Sequence, residues 1–326
     1  MLSLYKELDY HTKGLSHILI LKDGRLSSSS ADNTLIIYNK NTFEPDLIIN
    51  EHTDYVNYHI QLKNENIVTC SWDNTLKIIK LYPNNKYEVI QKLAAHTNVV
   101  DKAIELENGS LLTCSDDKTV ILWNKNPINN LYEYKKRIIT SISYEYPNTN
   151  IVLINENLLL CSSLSDCKIR FFEIKKDFQL LFYFDNVECC FSRNSILYLE
   201  DKDLLFVGGM NNNGIYLFKL KKIPLFIGKF YNDWIKEVHS IILLSGGDIL
   251  MGIHEKQKVE EDFLENQKFS ISKFRINENN KEIIFLKKME NAHDDLINGI
   301  IDWKEKNLII SCSKDMKVKL WKINKD

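Results

Sequence analysis

Histidine, serine and aspartate recur together along this chain of 326 residues, always in that order. His96, Ser115 and Asp117 form one set and His293, Ser313 and Asp315 another, with looser sets at His11, Ser30 and Asp32 and at His52, Ser71 and Asp73. These are the three side-chain types of a hydrolase triad. Such catalysis needs one exposed, strained nucleophile with its base and an oxyanion hole, whereas repeated sets are better explained as buried fasteners between a turn and a hairpin. An unpaired buried polar group costs about 1–3 kcal/mol, so each member of a fastener makes the others tolerable. A metal centre assembled from His52, His96 and His293 is not expected, because they belong to different repeats. The sequence has no Gly-rich phosphate loop, kinase signature or paired zinc-ligand spacing. No catalytic residue, cofactor or metal site is therefore expected, and the chain reads as a non-enzyme.

The elements that must position these residues are strands. Thr113–Trp123 reads as a strand, a tight turn carrying Asp116 and Asp117, and a second strand in which Val120 and Leu122 alternate with Ile121 and Trp123. The design repeats. An apolar pair following a polar or Gly-bearing turn recurs seven times, and the steps from Leu26 through Ile67, Leu111, Leu158, Leu204 and Ile249 to Leu308 are 41, 44, 47, 46, 45 and 59 residues. The long last step is accounted for by a charged insertion at 256–267. Each copy contains four short alternating segments, as in Leu15–Leu21, Leu26–Ser29, Leu35–Tyr38 and Leu47–Ile49. Four antiparallel strands in a repeat of about 45 residues is the arithmetic of a propeller blade. The expected fold is thus all-β, a seven-bladed β-propeller of four-stranded antiparallel blades. Its blades fall near 11–52, 53–95, 96–137, 138–188, 189–232, 233–292 and 293–326 with 1–9, in a single domain. The seventh copy ends after its third strand, so the N-terminal segment with Leu2, Leu4, Tyr5 and Leu8 is expected to complete it, removing edges that would otherwise invite aggregation.

In these respects the chain resembles the WD-repeat (WD40) family, over essentially its whole length. The family signature is a histidine in the turn entering the blade, a serine or threonine and an aspartate around the second hairpin, and a tryptophan closing the third strand. His96, Ser115, Asp117 and Trp123 keep all four, as do His293, Ser313, Asp315 and Trp321; the histidine-to-aspartate spacings are 21 and 22, and aspartate-to-tryptophan is 6 in both. The remaining copies are graded. The first two end on Tyr38 and Ile79, the fourth keeps Asp166 with Phe172, the fifth has Asn212 with Phe218, and the sixth holds Phe274 in place of the tryptophan.

The resemblance also implies a face for binding, onto which the turn entering each blade and the second hairpin both open. Three residues after the histidine or its equivalent stand Tyr55, Val99, Trp234 and Leu296, and immediately before the aspartate stand Trp72, Asp116 and Lys314. These are the expected partner-binding residues, with Trp72, Tyr55 and Trp234 as aromatic anchors. An alternative is recognition of a phosphorylated or acidic peptide by Lys136, Arg137 and Arg193, with the acidic insertion as a lid over the basic side. A catalytic propeller is a more remote reading. The expected partners are proteins or peptides within a multiprotein complex, held by a scaffold that is monomeric on its own.

Bulk properties agree with a binding role of this kind. A chain of this length could bury about 75% of its unfolded surface, and a formal charge of −2 gives no general attraction to nucleic acid or acidic lipid. No membrane span or signal peptide is visible in the sequence. Seven cysteines without pairing logic fit a reducing compartment, so cytoplasm or nucleus is the expected location.

Overall fold

Strand formation follows burial in a way that the apolar periodicity only partly conveys. The second strand of a repeat, such as Leu111–Ser115, is buried at every position, which explains why it reads as a continuous small or apolar run. The fourth strand, such as Tyr132–Ile139, is exposed at most positions and carries charge. A computed structural model describes residues 2–139, 149–163, 168–184, 194–209, 214–221, 224–256, 267–277 and 282–324. Within them lie seven four-stranded antiparallel sheets.

The N-terminal strand is β1 (Leu2–Leu8). The first sheet holds β2 (Leu15–Ile20), β3 (Leu26–Ser30), β4 (Leu35–Tyr38) and β5 (Pro45–Ile49); the second holds β6 (Val56–Gln61), β7 (Ile67–Ser71), β8 (Leu76–Tyr82) and β9 (Lys86–Leu93). The third comprises β10 (Val100–Glu105), β11 (Leu111–Ser115), β12 (Thr119–Lys125) and β13 (Tyr132–Ile139), and the fourth β14 (Thr149–Asn155), β15 (Leu158–Ser163), β16 (Lys168–Glu173) and β17 (Gln179–Phe184). The fifth has β18 (Ile196–Leu199), β19 (Leu204–Gly208), β20 (Gly214–Lys219) and β21 (Leu225–Tyr231), and the sixth β22 (Ile235–Leu243), β23 (Ile249–Glu255), β24 (Phe269–Asn277) and β25 (Glu282–His293). The seventh is built from β26 (Ile297–Trp303), β27 (Leu308–Ser313) and β28 (Val318–Ile323), with β1 added beside β28.

The chain divides into two compact units, residues 16–187 and residues 1–15 with 188–326. In the first unit the core is made where consecutive sheets face each other. Val68, Cys70 and Ile78 of the second sheet pack with Val100, Ala103, Ile121 and Trp123 of the third, and Leu112, Cys114 and Val120 of the third pack with Ile151, Leu159 and Phe172 of the fourth. In the second unit Phe206, Ile215 and Leu217 pack with Ile235, Val238 and Phe274, the aromatic that stands at the tryptophan position. Leu250 and Ile271 pack in turn with Ile300, Ile309 and Trp321. Cys70, Cys114, Cys161 and Cys312 are buried and not disulfide-bonded.

The N-terminal segment completes the last sheet as expected. Leu2 pairs with Ile323 and Leu8 with Val318, Leu8 is buried, and Lys317 Nζ lies 2.9 Å from a Glu7 oxygen. Leu4 and Tyr5 remain outside, at a bulge in β1, where Lys322 sits 4.4 Å above the Tyr5 ring.

Candidate functional site

His96 lies in the turn between β9 and β10, and strand pairing in the third sheet sets the three residues that meet it. Its Nδ1 is 2.8 Å from Asp117 Oδ2, and its Nε2 is 2.8 Å from Thr113 Oγ1. The carboxylate can only accept, so Nδ1 carries the proton; in the neutral ring Nε2 then accepts from the Thr113 hydroxyl. That hydroxyl in turn accepts from the Trp123 indole N–H at 2.9 Å. The result is a one-way relay, Trp123 to Thr113 to His96 to Asp117. The seventh sheet repeats it: His293 Nδ1 is 2.7 Å from Asp315, its Nε2 is 2.7 Å from Ser311 Oγ, and the Trp321 indole donates to Ser311 at 2.8 Å. In the second sheet His52 bridges Asp73 and Thr69, both at 2.7 Å, and in the first the Tyr38 hydroxyl lies 2.8 Å from Ser28 Oγ.

One expectation is corrected here. Ser115 and Ser313 are not the hydroxyl members of the tetrads. Ser115 stands at the very end of β11, where its hydroxyl accepts from the Asp117 amide and donates to the Asn98 carbonyl, and Ser313 does the same with Asp315 and Asp295. Thr113 and Ser311, two residues deeper on the same strand face, look onto the imidazole and the indole.

Burial tends to raise the Asp117 carboxyl, but the hydrogen bond from His96, with the Thr119 hydroxyl and the Thr97 amide, holds it at about 2. Asp315 is lowered in the same manner: burial raises it, and His293 more than offsets this. His293 is itself lowered, chiefly by burial. Thr113 is completely buried and engaged on both sides, so no substrate can reach it. These sets hold the fold, and each histidine is committed to its own aspartate.

The outward positions beside each fastener are brought together in pairs. The amide before each aspartate donates to the carbonyl three residues after the histidine: Trp72 to Tyr55 at 2.9 Å, Asp116 to Val99 at 2.9 Å and Lys314 to Leu296 at 3.0 Å. In the second sheet this places two aromatics in contact, with the Tyr55 and Trp72 ring centroids 4.8 Å apart and 35° between planes. Trp72 is 43% exposed, a large apolar side chain held in solvent on a rigid turn. Trp234 differs. It is half-buried against Phe285 at 5.6 Å, with Lys288 Nζ 5.1 Å from its ring, so its bulk is largely absorbed by packing within the sixth sheet.

Lys136 and Arg137 lie on β13, paired with Leu122 and Ile121 of β12. Lys136 bridges Asp177 at 2.5 Å, and Arg137 donates to the Ala95 carbonyl. Arg193, Asp166, Asn212 and residues 257–266 of the insertion lie outside the described residues.

A polar set that the sequence reading missed stands in the sixth sheet, where Glu237 of β22 meets His239 of the same strand and His254 of β23. None of the three falls on a tetrad position; His254 stands where Cys70, Cys114 and Cys312 stand in other sheets. Their only signal is the pairing of Glu237 with His254 across the hairpin, which needs the register to be known.

Two segments of the chain, residues 87–124 and 285–322, match the model of the WD domain, G-beta repeat. They are the segments that carry the two complete tetrads. No curated protein matches the chain significantly. Seven four-stranded antiparallel sheets, the last completed by the N-terminal strand, define a seven-bladed β-propeller. The two matched segments, with their tetrads, are WD40 repeats within this propeller. Propellers of that family are generally protein-interaction scaffolds without catalytic activity.

Proposed function

We propose that this chain is a non-catalytic scaffold that holds a protein or peptide partner through the outward positions beside its fasteners, centred on Trp72 and Tyr55. The observation that carries this reading is the exposure of Trp72 on a turn fixed by the Tyr55 carbonyl and by the His52–Asp73 fastener. A rigid aromatic loses little entropy when a partner covers it, which is why such residues dominate interface energies. Val99, Asp116, Leu296 and Lys314 hold matching positions in other blades, and Trp234 contributes a half-buried edge. Among the described residues no helix is long and apolar enough to cross a membrane. The four described cysteines, buried and not disulfide-bonded, support a reducing compartment, cytoplasm or nucleus. The acidic-peptide alternative draws less support, because Lys136 and Arg137 are already engaged.

The test is quantitative affinity capture with wild-type bait beside Trp72→Ala and Tyr55→Ala, each checked for an unchanged thermal midpoint. The partner found is then titrated in purified form. Loss of at least tenfold in affinity is expected for Trp72→Ala, about 1.4 kcal/mol or more. Retention of every partner by both variants would remove the proposal. A partner lost only on charge reversal at Arg137 and Arg193 would favour the acidic-peptide reading.

A further inference from the structure

The sixth blade has a phenylalanine where the tryptophan of a tetrad would stand, and a different polar set on its first two strands. Glu237 and His254 are direct cross-strand partners, and His239 follows Glu237 by two residues. Bulges in β22 on either side of Glu237 and Val238 send Ile235, Val238 and Ile241 into the core, which leaves Glu237 and His239 to gather beside His254. Glu237 Oε2 is 2.9 Å from His239 Nε2 and 3.3 Å from His254 Nδ1, and the three potential ligand atoms lie within 4.8 Å of one another. The two imidazoles are 3% and 6% exposed and the carboxylate 12%. His254 is further held by stacking on the buried Phe269 ring, 4.8 Å away.

Two imidazole nitrogens that converge on one carboxylate oxygen form the donor set of a two-histidine, one-carboxylate metal site. An ion bonded to nitrogen and oxygen at about 2.0–2.2 Å holds adjacent ligands roughly 3 Å apart, which the two carboxylate-to-imidazole separations match; the two imidazole nitrogens, within 4.8 Å of each other, close in on the ion as it binds. The ligands ride on a paired hairpin, so little order has to be created on binding. We propose that Glu237, His239 and His254 bind one divalent transition-metal ion of the zinc class, through the Glu237 carboxylate, His239 Nε2 and His254 Nδ1. The ion staples β22 to β23 in a blade that carries Phe274 at the tetrad's tryptophan position. Three protein ligands leave one coordination position open to water.

The experiment uses the full chain, purified without a polyhistidine tag, stripped with chelator and dialysed against Zn²⁺, Co²⁺, Ca²⁺ or Mg²⁺. Metal retained is measured by elemental mass spectrometry and the thermal midpoint by fluorescence, for wild type, Glu237→Gln and the double variant His239→Gln/His254→Gln. Wild type is expected to retain one equivalent of Zn²⁺ or Co²⁺ more than either variant, and to gain a higher midpoint with those ions that the variants do not show. Calcium and magnesium should have no such effect. The cysteines contribute the same background to all three proteins, so the difference is the readout. Equal retention and equal midpoint shifts in wild type and Glu237→Gln, which preserves the side-chain shape even if the double variant fails to fold, would overturn the proposal and leave a hydrogen-bonded cluster alone.

Discussion

Thr113 shows how much a single hydroxyl carries in this fold. It separates two buried donors and acceptors that have no other route to satisfaction, the Trp123 indole N–H and His96 Nε2. Thr113→Val, which keeps the shape and removes the oxygen, is expected to cost about 1–3 kcal/mol in urea unfolding, and Ser115→Ala, whose partners lie at the turn, less. The pair of variants tests the assignment directly, since equal costs would return Ser115 to the tetrad. Acid should weaken the fold through the same groups. A carboxyl held at about 2, below its ordinary 3.8, contributes stability that is present above 3.8 and is lost as pH falls towards 2. His293 acts in the same direction earlier: burial lowers it below 6.5, so the unfolded chain takes up the proton first and stability begins to fall once pH drops below that value. The urea midpoint should therefore decline in two stages on acidification, and a midpoint that rises between 6.5 and 3.8 would contradict this sign. At this scale the histidines, aspartates and tryptophans were legible because their spacing repeats. The hydroxyl was not, because both Thr113 and Ser115 are small polar residues in one buried strand, and only the imidazole position distinguishes them.

Among the elements, the second hairpins share a demanding turn. Asn33, Asn74, Lys118 and Met316 occupy equivalent positions with φ between 67° and 72°, a left-handed conformation that asparagine tolerates and most side chains do not. Lys118→Asn and Met316→Asn are each expected to stabilise the protein by about 0.5–1 kcal/mol, measurable as a raised thermal midpoint. No gain at either position would mean that the side chains compensate through contacts of their own. The strands and their turns were legible in the sequence from alternation and from Asp-Gly and Asn-Gly pairs. The strand that carries Lys136 and Arg137 was not legible, because an outermost strand faces solvent and carries charges that interrupt the apolar rhythm. The sixth-sheet trio escaped for a related reason: its members become neighbours only through the bulged pairing of β22 with β23.

For the whole molecule, the number of blades was legible because seven turns recur in phase, even where the polar signature has worn away. The N-terminal contribution to the last blade followed from counting strands. Removing residues 1–9 should expose the β28 edge along its length and yield soluble aggregates in size-exclusion chromatography; a monodisperse truncated protein would show that β1 is dispensable. Hydrogen exchange should be slowest in β11 and β27, whose sheets hold complete tetrads, and faster in β19 and β23.

The pairing of β1 with β28 also bears on how the protein is made. Ser3 and Asn324 meet across 321 residues of sequence, so β1 has no partner until the intervening residues have been synthesised. During translation β1 is an orphan with two open edges, and the last blade forms only after Val318–Ile323 has emerged. A circular permutant opened between two interior blades would give every strand its neighbour within one repeat of synthesis.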